Sequence, residues 1–90
     1  MDIRDKVAVI TGGASGLGRA TAETIVANGG KVALLDLNGE LASQTAAELG
    51  NDAQAFTANV SDSQSATDAV DLVLERFGAI HINVNCAGIG

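Results

Sequence analysis

Between Thr11 and Gly18 the chain reads TGGASGLG, four glycines in eight positions, directly after the apolar run Lys6–Thr11 (KVAVIT) and directly before a helical pattern. Ordered glycine is entropically costly, so this density means that φ > 0 is required or that something must approach the main chain closely. Which of the two applies depends on what flanks it. Lys31–Asp36 (KVALLD) is a second short, continuous, β-branched-rich run ended by turn residues, the pattern of a strand buried on both faces. Between the two runs, Leu17, Thr21, Ala22, Ile25 and Val26 repeat at helical spacing and stop at Asn28-Gly29-Gly30, a C-terminal cap. The first third therefore reads strand, bare turn, helix, strand.

The remainder continues the alternation. A second helix is expected over Glu40 to Leu49, with Leu41, Thr45 and Leu49 on one stripe and Gly50 as terminator, followed by a weaker strand around Ala53–Ala58. For a third helix, Ser61 and Gln64 form a capping box. Ala66, Ala69, Val70, Val73, Leu74 and Phe77 then recur every three or four residues until Gly78. Ile80 to Asn85 gives a fourth strand. Strands alternating with helices on short connections predict an α/β fold, a parallel sheet wrapped by right-handed crossovers.

Ninety residues suffice for one small domain with a modest core. A composition 47% hydrophobic and 18% charged excludes a disordered chain. The formal net charge of −6 argues against nucleic acid or an anionic membrane as partner, so a bound anion must be held by local geometry. A single cysteine cannot staple the domain, and the start MDIRDKVAVI carries charges where a signal peptide needs an apolar stretch. The expectation is a cytoplasmic protein with a reduced thiol.

Where a helix follows the first parallel strand, unpaired backbone N–H groups and the helix dipole make a seat for phosphate. Bare positions at Gly12, Gly16 and Gly18 let a pyrophosphate reach those amides and let the helix pack onto the strand. A glycine string alone also fits a tight turn. Here it lies between a strand and a helix, and Asp36 closes the second strand 18 residues after Gly18, near the spacing of the acidic residue that holds the adenosine ribose. The Asp36 carboxylate can accept both ribose hydroxyls of NAD, whereas the 2′-phosphate of NADP would be repelled by about 4 kcal/mol per unit charge at ~4 Å and an effective dielectric of 20. The cofactor expected is NAD.

The Gly-x-x-x-Gly-x-Gly spacing after Thr11, the acidic residue closing the second strand and NCAG at Asn85–Gly88 together resemble the short-chain dehydrogenase/reductase family over the whole chain. The resemblance implies a doubly wound parallel sheet of Rossmann type with strand order 3-2-1-4, in which Thr11 and Gly12 through Gly18 form the pyrophosphate turn, lined by Ser15 and Leu17. It implies that Asp36 and Leu37 flank the adenosine ribose, that Asn59 and Val60 meet the adenine, and that Cys86, Ala87 and Gly88 pass the ribose on the nicotinamide side. Ser15 stands where NADP-preferring reductases of the family often carry arginine, which again implies NAD; Arg19 is expected to be solvated. Within the family, VAVITGGASGLG, LLDL, FG and VNCAGI look like the type II 3-hydroxyacyl-CoA dehydrogenases, also called type 10 17β-hydroxysteroid dehydrogenases. By resemblance, the expected activity is that of an oxidoreductase acting on a secondary alcohol or ketone, with a small-molecule substrate such as an acyl-CoA and a homotetrameric complete enzyme.

Three positions depart from the family pattern. Asn59 stands where Asp is usual, which makes a weaker, neutral acceptor for the adenine amino group. His81 replaces an Asp, and Asn83 puts an amide in a strand expected to be buried, where it needs a partner. The family's hydride transfer uses Ser, Tyr and Lys with a supporting Asn, all beyond the NCAG segment, and this chain contains no tyrosine. The 90 residues therefore read as the cofactor-binding part of a longer enzyme, with no catalytic residue of their own. A non-catalytic NAD-binding module or scaffold is the alternative from another class. A 3-oxoacyl-acyl-carrier-protein reductase is a nearer one, disfavoured by Ser15 and Asp36. Cys86 reads as a small packing residue rather than a nucleophile, His81 as a polar edge residue without metal-ligand partners, and Asp68, Asp71 and Glu75 as a solvated helix face.

Overall fold

A computed structural model describes residues 3–59 and 61–86. Seven elements follow in strict alternation: β1 (Val7–Thr11), α1 (Gly16–Ala27), β2 (Lys31–Asp36), α2 (Gly39–Leu49), β3 (Ala53–Thr57), α3 (Ser63–Phe77) and β4 (Ile82–Asn85). The four strands form one parallel sheet in the order β3-β2-β1-β4, as expected. Val7 pairs with Lys31, Val32 with Ala53, and Ala8 with Ile82.

Alternate residues of the central strands feed two cores, as the period of a strand requires. Ala8, Ile10, Val32 and Leu34 point to one face and pack with Ala22 and Ile25 of α1 and Ala42 and Ala46 of α2. Val7, Val9, Ala33 and Leu35 point to the other and pack with Ala69 and Val73 of α3. Both faces of β1 and β2 are thus covered, which is why those segments are apolar without interruption. Among the described residues, no helix is long and apolar enough to cross a membrane.

Some helix details differ from the sequence expectation. In α2 the inward stripe is Ala42, Thr45 and Ala46, while Leu41 is exposed. Small residues let the helix lie close to the sheet, and Leu41 sits one position round the axis from that stripe. In α3, Leu74 is likewise exposed, and the buried line runs through Ala69 and Val73. The α3 cap is Asp62 rather than Ser61: its carboxylate accepts from the amides of Gln64 and Ser65, and Gln64 turns its own side chain to Asp68. Asp68, Asp71 and Glu75 are exposed, as a solvated face should be.

Asn83 is exposed rather than buried. It lies level with Val9 on the α3 side of the sheet, but α3 covers β1 and β2, whereas Ile82 and Val84 turn to the opposite core. Its amide therefore meets water and needs no protein partner. His81 bonds the start of β1 through both its backbone and its ring: its N–H donates to the Val7 carbonyl (2.9 Å), and its Nδ1 accepts from the Val7 N–H (3.0 Å). It ends the β1–β4 ladder as an edge residue. Cys86 is buried among Ala8, Ile10 and their neighbours, and its amide extends the ladder to the Thr11 carbonyl (2.8 Å), so it packs as expected.

Candidate functional site

The three glycines singled out at the β1–α1 turn serve three different ends. Gly12 has φ +72°, a left-handed conformation that reverses the chain as it leaves the sheet. Its carbonyl then accepts from both the amide (3.0 Å) and the hydroxyl (2.7 Å) of Ser15. Gly18 is a contact glycine: a Cβ there would stand 2.4 Å from the Gly12 carbonyl oxygen and 2.9 Å from Gly13 Cα. Its bareness seats α1 on the turn. At Gly16, by contrast, a Cβ would meet nothing within 4 Å among the described residues. Nothing in the protein's own packing demands glycine there, so the bare position leaves space beside the helix mouth.

Besides the Ser15 amide, four of the turn's backbone donors are already committed. The amides of Gly12 and Gly13 donate to the Leu35 carbonyl, Ala14 donates to Asp36 Oδ2 (2.9 Å), and Gly18 donates to Ser15 Oγ (3.1 Å). Those of Gly16 and Leu17, in the first turn of α1, find no acceptor among the described residues. These are the orphan donors of a helix start, where the macrodipole adds partial positive charge. The two free amides beside the open face of Gly16 fit a diphosphate.

Ser15 is the N-cap of α1. Its hydroxyl proton is spent on the Gly12 carbonyl and its oxygen on the Gly18 amide, so its place in the turn is to brace it. Its position immediately before the helical pattern was a legible cap signal. Leu17, expected on the helix's apolar stripe, is 50% exposed, and Leu37 is 69% exposed beyond the end of β2. Apolar side chains with that much surface at the carboxyl edge of the sheet suit contact with a ring or sugar rather than with the core.

Asp36 does something that sequence spacing does not disclose. Its Oδ2 ties down the glycine turn through Ala14, and its Oδ1 accepts from the Asn38 amide (2.9 Å). Each carboxylate oxygen keeps further acceptor capacity, so the same group can also take hydroxyls. The carboxylate thereby joins the β1–α1 turn to the β2–α2 turn. Asn38 in turn caps α2 by accepting from the Leu41 amide (3.1 Å). Two further glycines went unassigned in the sequence: a Cβ at Gly13 would stand 2.9 Å from Leu34 Cβ, and one at Gly39 would stand 2.0 Å from Thr57 Oγ1. Both mark helix or turn backbone laid against a neighbouring strand, which no local pattern reveals.

Asn59 follows β3, next to the end of β2: the amide of the preceding Ala58 donates to the Asp36 carbonyl (3.0 Å). Its side-chain Oδ1 accepts from the amide (3.1 Å) and the hydroxyl (2.6 Å) of Ser61. Arg19 stays at the surface and bridges helices, paired with Glu23 (2.9 Å) and with Glu48 of α2. Hydrogen bonding to Glu48 first, and then to Glu23, raises its pKa above the ordinary guanidinium value. Val60, Ala87 and Gly88, singled out in the sequence, lie outside the described residues.

A parallel sheet whose first βα turn leaves free amides at a helix mouth, with a carboxylate closing the next strand, defines the class of Rossmann-type α/β proteins. The chain belongs to the short-chain dehydrogenase family, whose model matches residues 6–90. It is 44% identical over 87 residues to human 3-hydroxyacyl-CoA dehydrogenase type-2, covering 97% of this chain and 33% of that protein. It is 45% identical to the sorbitol dehydrogenase of Cereibacter sphaeroides, covering 99% of this chain and 35% of that one. The crystal structure of the 3-ketoacyl-(acyl-carrier-protein) reductase from Brucella melitensis complexed with NADH superposes with a TM-score of 0.88 at 34% identity, over 90% of this chain and 33% of that one. The chain thus spans about a third of the length of these proteins. Because that ketoacyl reductase is complexed with NADH, a preference for NAD does not separate the hydroxyacyl-CoA dehydrogenases from the acyl-carrier-protein reductases.

Proposed function

We propose that this chain is the NAD-binding portion of an oxidoreductase that removes hydride from a secondary alcohol or delivers it to the corresponding ketone. The observation that carries the reading is the open face at Gly16, where the unpaired amides of Gly16 and Leu17 stand in the turn that Asp36 ties down. The amides and the helix dipole hold the diphosphate, and Gly12 and Gly18 shape the turn that presents them. Asp36 accepts the ribose hydroxyls while keeping its bond to Ala14, and Leu37 lies against the sugar. Val60, Ala87 and Gly88 complete the set, with Cys86 as packing beneath it.

The nicotinamide cofactor, when bound, supplies the hydride chemistry. With no tyrosine in the chain, the acid/base chemistry that the family resemblance implies comes from residues outside these 90. The substrate is a small molecule bearing a secondary hydroxyl. A 3-hydroxyacyl-CoA is supported by the similarity to hydroxyacyl-CoA dehydrogenases, and a polyol by the similarity to the D-threitol dehydrogenase of Mycolicibacterium smegmatis at 45% identity. We favour the acyl-CoA, on the type-2 relatives from several animals; a homotetrameric complete enzyme is what the family resemblance implies.

Arg19 is held by Glu23 and Glu48 and so is not offered to a 2′-phosphate beside Asp36. Calorimetric titration of the protein as its gene encodes it, with NAD and NADP side by side, tests the reading. NAD should bind at least about tenfold more tightly, as expected from losing one charge-assisted hydrogen bond and gaining a repulsion. Equal affinities would contradict the role given to Asp36, and failure of both to bind would end the proposal.

A further inference from the structure

At the amino end of the sheet the ladder between β1 and β4 is closed by a side chain. Lys31 of β2 donates to the Lys6 carbonyl, so the next residue, Val7, is turned the other way, toward β4. There its carbonyl accepts from the His81 backbone N–H (2.9 Å), and its own N–H donates to His81 Nδ1 (3.0 Å). The ring nitrogen takes the place that a strand carbonyl holds elsewhere in a parallel ladder. This bond fixes the state of the ring. A backbone N–H can only donate, so Nδ1 carries a lone pair and the ring hydrogen is on Nε2; a flipped ring would set a C–H there, which cannot accept. Val7 is 3% exposed, whereas His81 lies at the surface, so solvent protons reach the ring while the residue it clasps is buried. No charged group pairs with the ring among the described residues. The charged side chains of the adjoining segments are Asp5 and Lys6 before β1, and Glu75 and Arg76 at the end of α3. Of these, Asp5 is paired with Lys31 (3.5 Å) and Arg76 lies over the Phe77 ring (5.8 Å).

We propose that His81 is a pH-sensitive clasp on the β1–β4 pair, closed while its imidazole is neutral and opened by protonation. A protonated imidazole carries hydrogen on both nitrogens, so Nδ1 would face the Val7 N–H as one donor against another. The ring then swings out to water, and a buried main-chain donor is left without its acceptor. Among the side chains near the clasp, only an imidazole ordinarily changes charge between about pH 5 and pH 8. The bond exists only with the neutral ring. Its contribution to stability is therefore present at the alkaline end of that range and is lost as the pH falls through it. The change is confined to the amino edge of the sheet, at the opposite end of β1 from the glycine turn, so it loosens the β1–β4 pair independently of any ligand held at that turn.

The test compares urea unfolding of the protein as its gene encodes it, at about pH 8 and about pH 5.5, for the wild type and for His81→Asn. The asparagine Oδ1 stands as far along the side chain as Nδ1 and accepts without titrating. Titrations elsewhere are common to both proteins, so the difference between their two changes isolates residue 81. On acidification the folding equilibrium constant of the wild type should fall about fivefold further than that of the variant, the size of one main-chain hydrogen bond. Hydrogen exchange reads the same event in the wild type alone, should the variant not fold. Corrected for the intrinsic rate, protection of the Val7 amide should drop by about that factor relative to the other β1 amides. Equal losses in wild type and His81→Asn overturn the proposal, and so does a Val7 amide that is as well protected in acid as at the alkaline end.

Discussion

Gly16 and Gly18 lie two residues apart in the same glycine string, and the structure predicts opposite outcomes for filling them. At Gly18, a methyl group would lie 2.4 Å from the Gly12 carbonyl oxygen and 2.9 Å from Gly13 Cα. Both are main-chain atoms, so the turn itself must move. Overpacking of this kind costs about 1–3 kcal/mol. The displaced carbonyl is also the acceptor for the Ser15 amide and hydroxyl, so two bonds of about 1 kcal/mol each are strained with it. Replacing glycine by alanine in a helix returns only about 0.5–1 kcal/mol, so the steric term wins. Gly18→Ala should therefore lower unfolding stability in urea by about 2 kcal/mol. At Gly16 the position is open, and Gly16→Val should leave stability within about 0.5 kcal/mol of wild type. Its isopropyl group, however, fills the space beside the Gly16 and Leu17 amides. Two hydrogen bonds to a charged ligand are worth about 3–6 kcal/mol together, which is roughly a 100- to 10,000-fold rise in the Kd for NAD. Urea unfolding and calorimetric titration of both variants read the two effects separately. A Gly18→Ala protein as stable as wild type, or a Gly16→Val protein that binds NAD normally, would refute this division of labour between the two glycines.

Two further substitutions probe contacts around the site. Asp36→Asn leaves one acceptor for two backbone donors, Ala14 and Asn38, so unfolding stability should fall by about 1–2 kcal/mol even without cofactor. The preference for NAD over NADP should narrow in parallel, and a variant of unchanged stability would show that the carboxylate does not hold the turn. Asp62→Ala removes the α3 cap and should cost about 1 kcal/mol in the same unfolding assay, whereas Ser61→Ala should cost less, which distinguishes the observed cap from the one expected from sequence.

The strands and the helix–strand alternation were legible because each rests on a periodicity local to a few residues, whereas the strand order followed from the family resemblance. Val32–Leu35 is apolar throughout because α2 and α3 cover it from opposite sides, and that pattern is visible without knowing which helix lies where. Leu41 and Leu74 misled for the converse reason. A leucine at helical spacing fits an inward stripe, but the helices approach the sheet through Ala42, Ala46 and Ala69, and the larger side chains are left at the margin. Asn83 misled because burial of a strand depends on which neighbours cover it, and the core beneath α3 takes in residues of β1, β2 and β3 but none of β4 among the described residues.

At the site, residue types and spacing named Gly12, Gly16, Gly18 and Asp36, yet they could not assign a separate purpose to each. Those purposes depend on distances across the turn: a carbonyl beneath Gly18, nothing beside Gly16, an amide 2.9 Å from a carboxylate 22 residues further along the chain. The last of these bears on how the site works. Because Asp36 bonds Ala14, the proposed ribose-binding group and the proposed phosphate-binding turn are positioned together. A ligand then meets a turn already ordered, and less of its binding free energy is lost to ordering the chain. On the proposed reading the carboxylate is both a contact for the sugar and a strut for the turn that holds the diphosphate, so the two ends of the adenosine diphosphate should bind cooperatively. Affinity for the adenosine and diphosphate parts offered separately should sum to less than that of the intact dinucleotide, and Asp36→Asn should shrink that surplus.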